Sequence, residues 1–145
     1  MKIEIGKDNP ILRKKTKEIE KITPQIEEVI SDMSEILESD FNNVGLAAPQ
    51  IGQSIQLILF KSFLNSKPFA LINPKLKKKS FGKESMKESC LSLPGFSISV
   101  KRYKKITVEG LNAGEELIRI EAKGFLARVI QHEMDHLNGI LISDY

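Results

Sequence analysis

Tryptophan is absent from this chain, and cysteine occurs once, at Cys90. A lone cysteine makes no intramolecular disulfide, which excludes a disulfide-stapled scaffold and fits a reducing, cytoplasmic setting. Long apolar runs are also lacking. Leu57-Ile58-Leu59-Phe60 is strand length, far short of the ~20 residues a membrane helix needs, so no membrane partner is expected. The opening residues Met1 to Ile5 alternate polar and apolar and do not read as a secretory signal. Charge of one sign does not dominate: the net balance is +3, too small to argue for DNA as a partner. Repeats, low-complexity tracts and linkers are missing as well. The 145 residues are therefore expected to form one domain, 1–145, with one sizeable core.

Histidine is nearly as scarce as cysteine, and its placement is informative. Both histidines lie in Gln131-His132-Glu133-Met134-Asp135-His136-Leu137-Asn138-Gly139. Residues four apart share one helix face, so His132 and His136 can ligate one metal ion from the same side. Glu133 sits about 100° round the helix, beside the site without having to ligate. Two imidazoles and a flanking carboxylate are the parts of a hydrolytic metal site with a general base. Random shuffling of this composition produces the pattern on the order of once in a thousand, so it is treated as a metal-site motif.

The preceding residues from Glu121 to Ile130 contain no proline. On a helical wheel Phe125, Val129 and His136 fall within about 60° of His132. Leu126, Ile130, Met134 and Leu137 form a second apolar stripe, and Arg128, Gln131 and Asp135 share the polar strip between. A largely buried helix with a core face and a site face is expected, stopped by Asn138-Gly139. A hydrolytic metal centre usually has three protein ligands and an open position. With no third histidine, the remaining ligand must be Asp, Glu or Cys.

Elsewhere the pattern is mixed. Ile3 to Ile5 reads as a short strand and Asp8-Asn9-Pro10 as a turn. Thr23-Pro24 opens a helix, with Ile26, Val29, Ile30, Met33, Ile36 and Leu37 at helical spacing. Asn42 to Gly52 is a small-residue loop able to bring backbone close to a neighbour. Ile55 to Phe60, Phe69 to Asn73 and Phe81 to Glu88 read as strands, with Asn73-Pro74 as punctuation. Ser97 to Val100, Lys105 to Glu109 and Glu116 to Glu121 follow, with turns at Gly110 and at Asn112-Ala113-Gly114. The final residues Ile140 to Tyr145 leave room for a short strand. The lysines at 75, 77, 78, 79, 83 and 87 suit a solvated loop, or a patch touching an anionic partner such as RNA. The order helix, short strands, helix implies an α+β domain. Its small antiparallel sheets would pack around a central buried helix carrying His-Glu-x-x-His, with a supporting N-terminal helix.

Three stretches now stand together: Asn43-Val44-Gly45-Leu46-Ala47-Ala48-Pro49-Gln50, Glu88-Ser89-Cys90-Leu91-Ser92-Leu93-Pro94 and the histidine motif. In this order they resemble the three signatures of the peptide deformylases, metal-dependent hydrolases that remove the formyl group from the initiator methionine of nascent polypeptides. The resemblance runs from Asn9-Pro10-Ile11-Leu12 to the end. The chain is similar to the short forms that lack a C-terminal helix, including some encoded by phages, and the resemblance implies a cytoplasmic enzyme of a bacterial or phage-infected host. The resemblance makes Cys90, His132 and His136 the metal ligands and Glu133 the acid/base. It makes Gln50 and the backbone N–H of Leu91 the oxyanion donors, and has Gly45 offer backbone to the peptide. It implies Fe2+ as the working ion, replaceable by Zn2+, Ni2+ or Co2+. Asn43 stands where the family has a glycine, a substitution that suits a positive φ. Ser89 stands at a second family glycine.

Further roles follow from position. Glu88 is the expected acceptor for the His132 ring, since ligand imidazoles need an orienting partner. Phe125 and Val129 on the histidine face, with Val44 and Met86 from the flanking stretches, suit a pocket for an unbranched thioether. Two rival readings are a zinc endopeptidase with the same helix motif, and a non-catalytic metal-bearing module held on ribosomes by the lysine cluster. The Cys-Leu-Ser-Leu-Pro stretch counts against the first, and the intact Glu133 and Gln50 against the second.

Overall fold

The computed structural model describes residues 2–62 and 66–145. Among the described residues, seven strands and three α-helices are ordered α1 (Pro10–Arg13), α2 (Pro24–Glu38), β1 (Gly45–Ala47), β2 (Leu57–Phe60), β3 (Phe69–Lys79), β4 (Lys83–Cys90), β5 (Leu93–Tyr103), β6 (Lys105–Leu111), β7 (Leu117–Lys123) and α3 (Gly124–Leu137). A five-stranded sheet has the order β1-β2-β3-β6-β7, and β4 and β5 form a separate two-stranded sheet. All strand pairs are antiparallel. The α+β expectation with small antiparallel sheets stands.

Strand β2 shows how the layers arise. All four of its residues are buried. Ile58 and Phe60 join Leu71, Val108, Ala127 and Ile130 in the core between the large sheet and α3. Leu57 and Leu59 point the other way and pack with Met33 and Leu37 of α2. Strand alternation therefore gives one sheet two apolar faces, one for each helix. A third core, Leu12, Leu93, Val100, Leu141 and Ile142, joins the β4–β5 hairpin to both ends of the chain. Among the described residues no helix is long and apolar enough to cross a membrane.

Several local expectations change. Helix α2 starts as read, with the Thr23 hydroxyl accepting from the Ile26 N–H at 3.3 Å. Ile3 to Ile5 is not a strand. It is tied down by single bonds, Glu4 N–H to Gln50 C=O at 2.7 Å and Gly6 N–H to Ser92 C=O at 2.9 Å. Asn9-Pro10 is a helix start, with Asn9 Oδ1 capping Ile11 N–H at 3.1 Å and Pro10 in the first turn of α1. Asn42 to Gly52 is not all loop, since it contains β1 and a 3-10 turn over Ala48–Ile51.

Asn73-Pro74 does not end a strand. β3 runs through it with a shift in register, Asn73 at φ 52°, the kind of irregularity that tolerates proline. The Asn73 amide bonds both the N–H and the C=O of Ile19 at 2.8 Å, which fixes the kink. Gly110 is not a turn but lies inside β6, where a Cβ would fall 2.8 Å from Ile72 O. The lysines from 75 to 87 lie on β3 and β4 rather than on a loop. The chain closes in a 3-10 turn, Ile142–Asp144, instead of a strand, because Asp144 accepts from Leu141 N–H and from Arg13.

Gly139 ends α3 at φ 72°, and a Cβ there would lie 2.3 Å from Arg13 O. Backbone conformation and space both demand glycine. Gly139→Ala should cost more than ~1 kcal/mol, read as a lower urea midpoint at unchanged slope. Stability equal to the parent would mean that the packing between the two ends of the chain relaxes freely.

Candidate metal centre

Helix α3 begins at Gly124, three residues later than the proline-free run, and carries His132, Glu133 and His136. Cys90 comes from the small sheet, as the last residue of β4, and pairs with Leu93 across the turn Leu91-Ser92. The ligand atoms of Cys90, His132 and His136 all lie within 4.8 Å of one another. Cys90 Sγ is 3.4 Å from His136 Nε2. Metal–ligand bonds of about 2.0–2.3 Å give a tetrahedron with edges of roughly 3.3–3.8 Å, so this spacing fits one small divalent ion.

The donors are prepared for a cation. His132 Nδ1 is 2.9 Å from Glu88 Oε1, which leaves Nε2 as its free donor. Burial opposes charge on His132, but Cys90, Glu88 and Glu133 outweigh it and its pKa is pushed up to about 10. The anions that favour a proton there also favour a metal ion beside it. His136 is buried, and burial and repulsion from His132 hold it well below the usual histidine range, so it stays a neutral ligand.

Glu133 is 5% exposed. Burial raises its pKa to about 7 against the pull of His132 and Arg102. Its Oε2 has no hydrogen-bond partner among the described residues. Strand β1 lies close against it. A Cβ on Gly45 would meet Glu133 Oε1 at 2.6 Å and Val129 Cγ1 at 2.8 Å. Any side chain on this first residue of β1 would displace the Glu133 carboxylate or Val129.

Gln50 is buried and oriented at both ends of its amide. Its oxygen accepts from Ala47 N–H at 2.9 Å. Its nitrogen donates to Ser92 Oγ at 3.1 Å and lies 3.7 Å from Cys90 Sγ. Ser92, fully buried, is a member of the site that sequence reading passed over. A cavity of about 750 Å3 opens over these groups. Val44, Gly45, Gln50, Met86, Glu88, Cys90, Leu91, Phe125, Val129, His132 and Glu133 all line it. His136 lies behind it, 1% exposed. Pro94 to Phe96, which slip out of register with β4, form part of the rim.

The two family departures resolve in ordinary backbone. Neither Asn43 nor Ser89 has a positive φ; among described non-glycine residues only Asn73 and Glu115 do. The expectation for Asn43 is corrected accordingly. Its amide donates instead to Ile36 C=O at the end of α2, at 3.3 Å. Ser89 is an exposed β4 residue paired with Ser97.

What sequence reading missed is the ionic cluster behind His132. Glu88 accepts from Arg102 Nε at 3.0 Å, from the second Arg102 nitrogen at 2.9 Å and from Arg128 at 2.6 Å. Arg128 also donates to Val100 C=O at 2.9 Å and Glu84 C=O at 2.6 Å. The helix strip that looked merely polar is thus a docking face for the hairpin. Arg102 reaches onward to Asp135 and to the Tyr145 hydroxyl, which itself donates to Asp135 at 2.6 Å. Burial works against the charge of Glu88, yet His132 and Arg102 pull its pKa down to about 2. Arg128 sits four residues before His132, which was a usable signal; Arg102, on a distant strand, gave none.

Removing one partner of a buried ion pair strands the others. Arg102→Met should therefore destabilise the fold by about 3–5 kcal/mol in urea titration. A cost below ~1 kcal/mol, the range of surface pairs, would show that the cluster is not a structural tie.

Comparison with known proteins agrees with this geometry. Residues 3–145 match the family model described as polypeptide deformylase. The peptide deformylase of Carboxydothermus hydrogenoformans is 47% identical over 139 residues, covering 96% of this chain and 88% of the relative. The crystal structure of the Thermotoga maritima peptide deformylase superposes with a TM-score of 0.90 at 37% identity, covering 99% of this chain and 95% of that one. A probable peptide deformylase from Synechococcus phage S-SSM7 gives a TM-score of 0.90 at 35% identity, covering 100% and 99%. With its Cys/His group, its cavity and these matches along almost its whole length, this chain belongs to the polypeptide deformylase family, the metal-dependent hydrolases that take the N-formyl group off nascent peptides.

Proposed function

We propose that residues 1–145 act as one catalytic domain built around the helix that carries His132 and His136. In this reading Cys90, His132 and His136 hold a divalent ion, Fe2+ by preference with Zn2+, Ni2+ or Co2+ as substitutes. One observation supports it above the others: a thiol from the hairpin and two imidazoles from α3 converge within 4.8 Å. When bound, such an ion supplies Lewis-acid activation of water and positive charge for a developing oxyanion.

The protein's own groups do the rest. Glu133, with its pKa raised to about 7, takes a proton from the attacking water and later delivers it to the departing amine. Water adds to the formyl carbon, the C–N bond breaks, and the products are formate and a free methionine amine. The Gln50 amide and the Leu91 N–H stabilise the oxygen that becomes anionic. Gln50 suits that role because Ala47 and Ser92 already hold its amide in place. Glu88 keeps the His132 ring in one tautomer and orientation. Val44, Met86, Phe125 and Val129 wall the space for the methionine side chain. Strand β1 is at the sheet edge, so Gly45 can offer backbone to an extended peptide.

Protein purified anaerobically with Fe2+ should release formate from formyl-Met-Ala-Ser and leave unformylated casein intact. Cleavage of casein would favour the endopeptidase reading. Glu133→Ala should keep its metal, measured by elemental analysis, and lose about 10²–10⁴ in kcat. Unchanged turnover would reject Glu133 as the proton carrier. Gln50→Leu should lower kcat by about two to three decades with a smaller change in KM.

A further inference from the structure

The turn between β3 and β4 carries an aromatic side chain with nothing around it. Phe81 is 108% exposed, more than any other large apolar residue described. Its turn is not loose. Ser80 Oγ donates to Gly82 C=O at 2.9 Å and accepts from Lys105 N–H at 3.2 Å. Ser80 N–H bonds Lys105 C=O at 3.0 Å, and Lys104 N–H bonds Gly82 C=O at 3.2 Å. The tip is therefore held from both sides while its ring faces solvent.

Lysines from four strands and a bend lie on the surface next to that turn. Lys79 and Lys83 lie 5.1 and 4.7 Å from the centre of the Tyr103 ring. Lys104 runs alongside Gly82. A concave surface of about 480 Å3 beside the tip is lined by Lys78, Lys79, Lys105 and Lys123, with Glu121 the one acid among its lining. Lys105 and Lys123 are directly opposed across β6 and β7, an arrangement that costs stability. Among the described residues none of these six lysines is in an ion pair, whereas Lys75 and Lys77 each have a glutamate.

We propose that the Phe81 tip and its lysines form a docking surface for unpaired RNA, with phosphates in the lysine-lined groove and a base stacked on the Phe81 ring. A rigid aromatic beside a cationic groove is the arrangement that binds single strands without reading their sequence. Buried Ile106, Thr107 and Ala122 form the floor of the groove and the exposed lysines its walls, a shape that suits a phosphate backbone. The choice of RNA over other polyanions rests on the deformylase reading, because the substrates are chains made on a ribonucleoprotein.

The test is fluorescence anisotropy of a short, unstructured, labelled RNA titrated with the whole protein over a range of salt. Affinity should fall as salt rises, and Lys83→Gln with Lys105→Gln should reduce the log–log slope by about 0.7 for each phosphate no longer neutralised. Phe81→Ala should weaken binding about tenfold while formate release and urea stability stay at parental values. Three results would each overturn the proposal: no salt-sensitive binding, Phe81→Ala binding like the parent, or tighter binding to phosphatidylglycerol vesicles than to RNA. Loss of formate release in the parent protein would instead count against the deformylase reading, since the titration does not depend on turnover.

Discussion

A single carboxylate ties this molecule together. Glu88 stands on the small sheet and meets Arg102 from its own hairpin and Arg128 and His132 from α3. Charges this deeply buried are expensive unless fully paired, so the cluster has one low-energy arrangement. That arrangement sets the distance between hairpin and helix. Because Cys90 is two residues beyond Glu88, the same junction carries the sulfur to the imidazoles.

The remaining elements act as supports for that junction. The large sheet backs α3 with Ile58, Phe60 and Val108, and α2 closes the far face of the sheet. Strand β1 brings Gly45 against Glu133 and, one turn on, Gln50 toward Cys90. Gln131 bonds both the N–H and the C=O of Tyr103 at 2.9 Å, as a strand would, and pins the start of the motif to β5. Three elements that share no hydrogen-bonded sheet thus meet with their functional atoms at bonding distance.

Much of this was legible in the residues. Helix periodicity and caps placed α2 and the end of α3, and spacing alone put both histidines on one face. The loop, the cysteine stretch and the motif were identified as one site by resemblance, and they do line one cavity. What was not legible depends on partners distant in sequence. Arg128 was read only as part of a polar strip, because its partner Glu88 lies 40 positions away. Asn73-Pro74 looked like a stop because nothing local shows that Ile19 will hold the kink. Asn43 was expected to replace a glycine conformation, but it bonds the end of α2 instead.

The tight seat of Gly45 bears on how such a cavity can diversify. On the wall formed by β1 and Glu133, a side chain at position 45 would force Glu133 and Val129 to move. Variation in what the site accepts disturbs the proton-carrying group least at Met86, Phe96 and Phe125, which line the cavity and are open to solvent. Position 45 is held by the chemistry beside it, and those three are freer to drift with the substrates they meet.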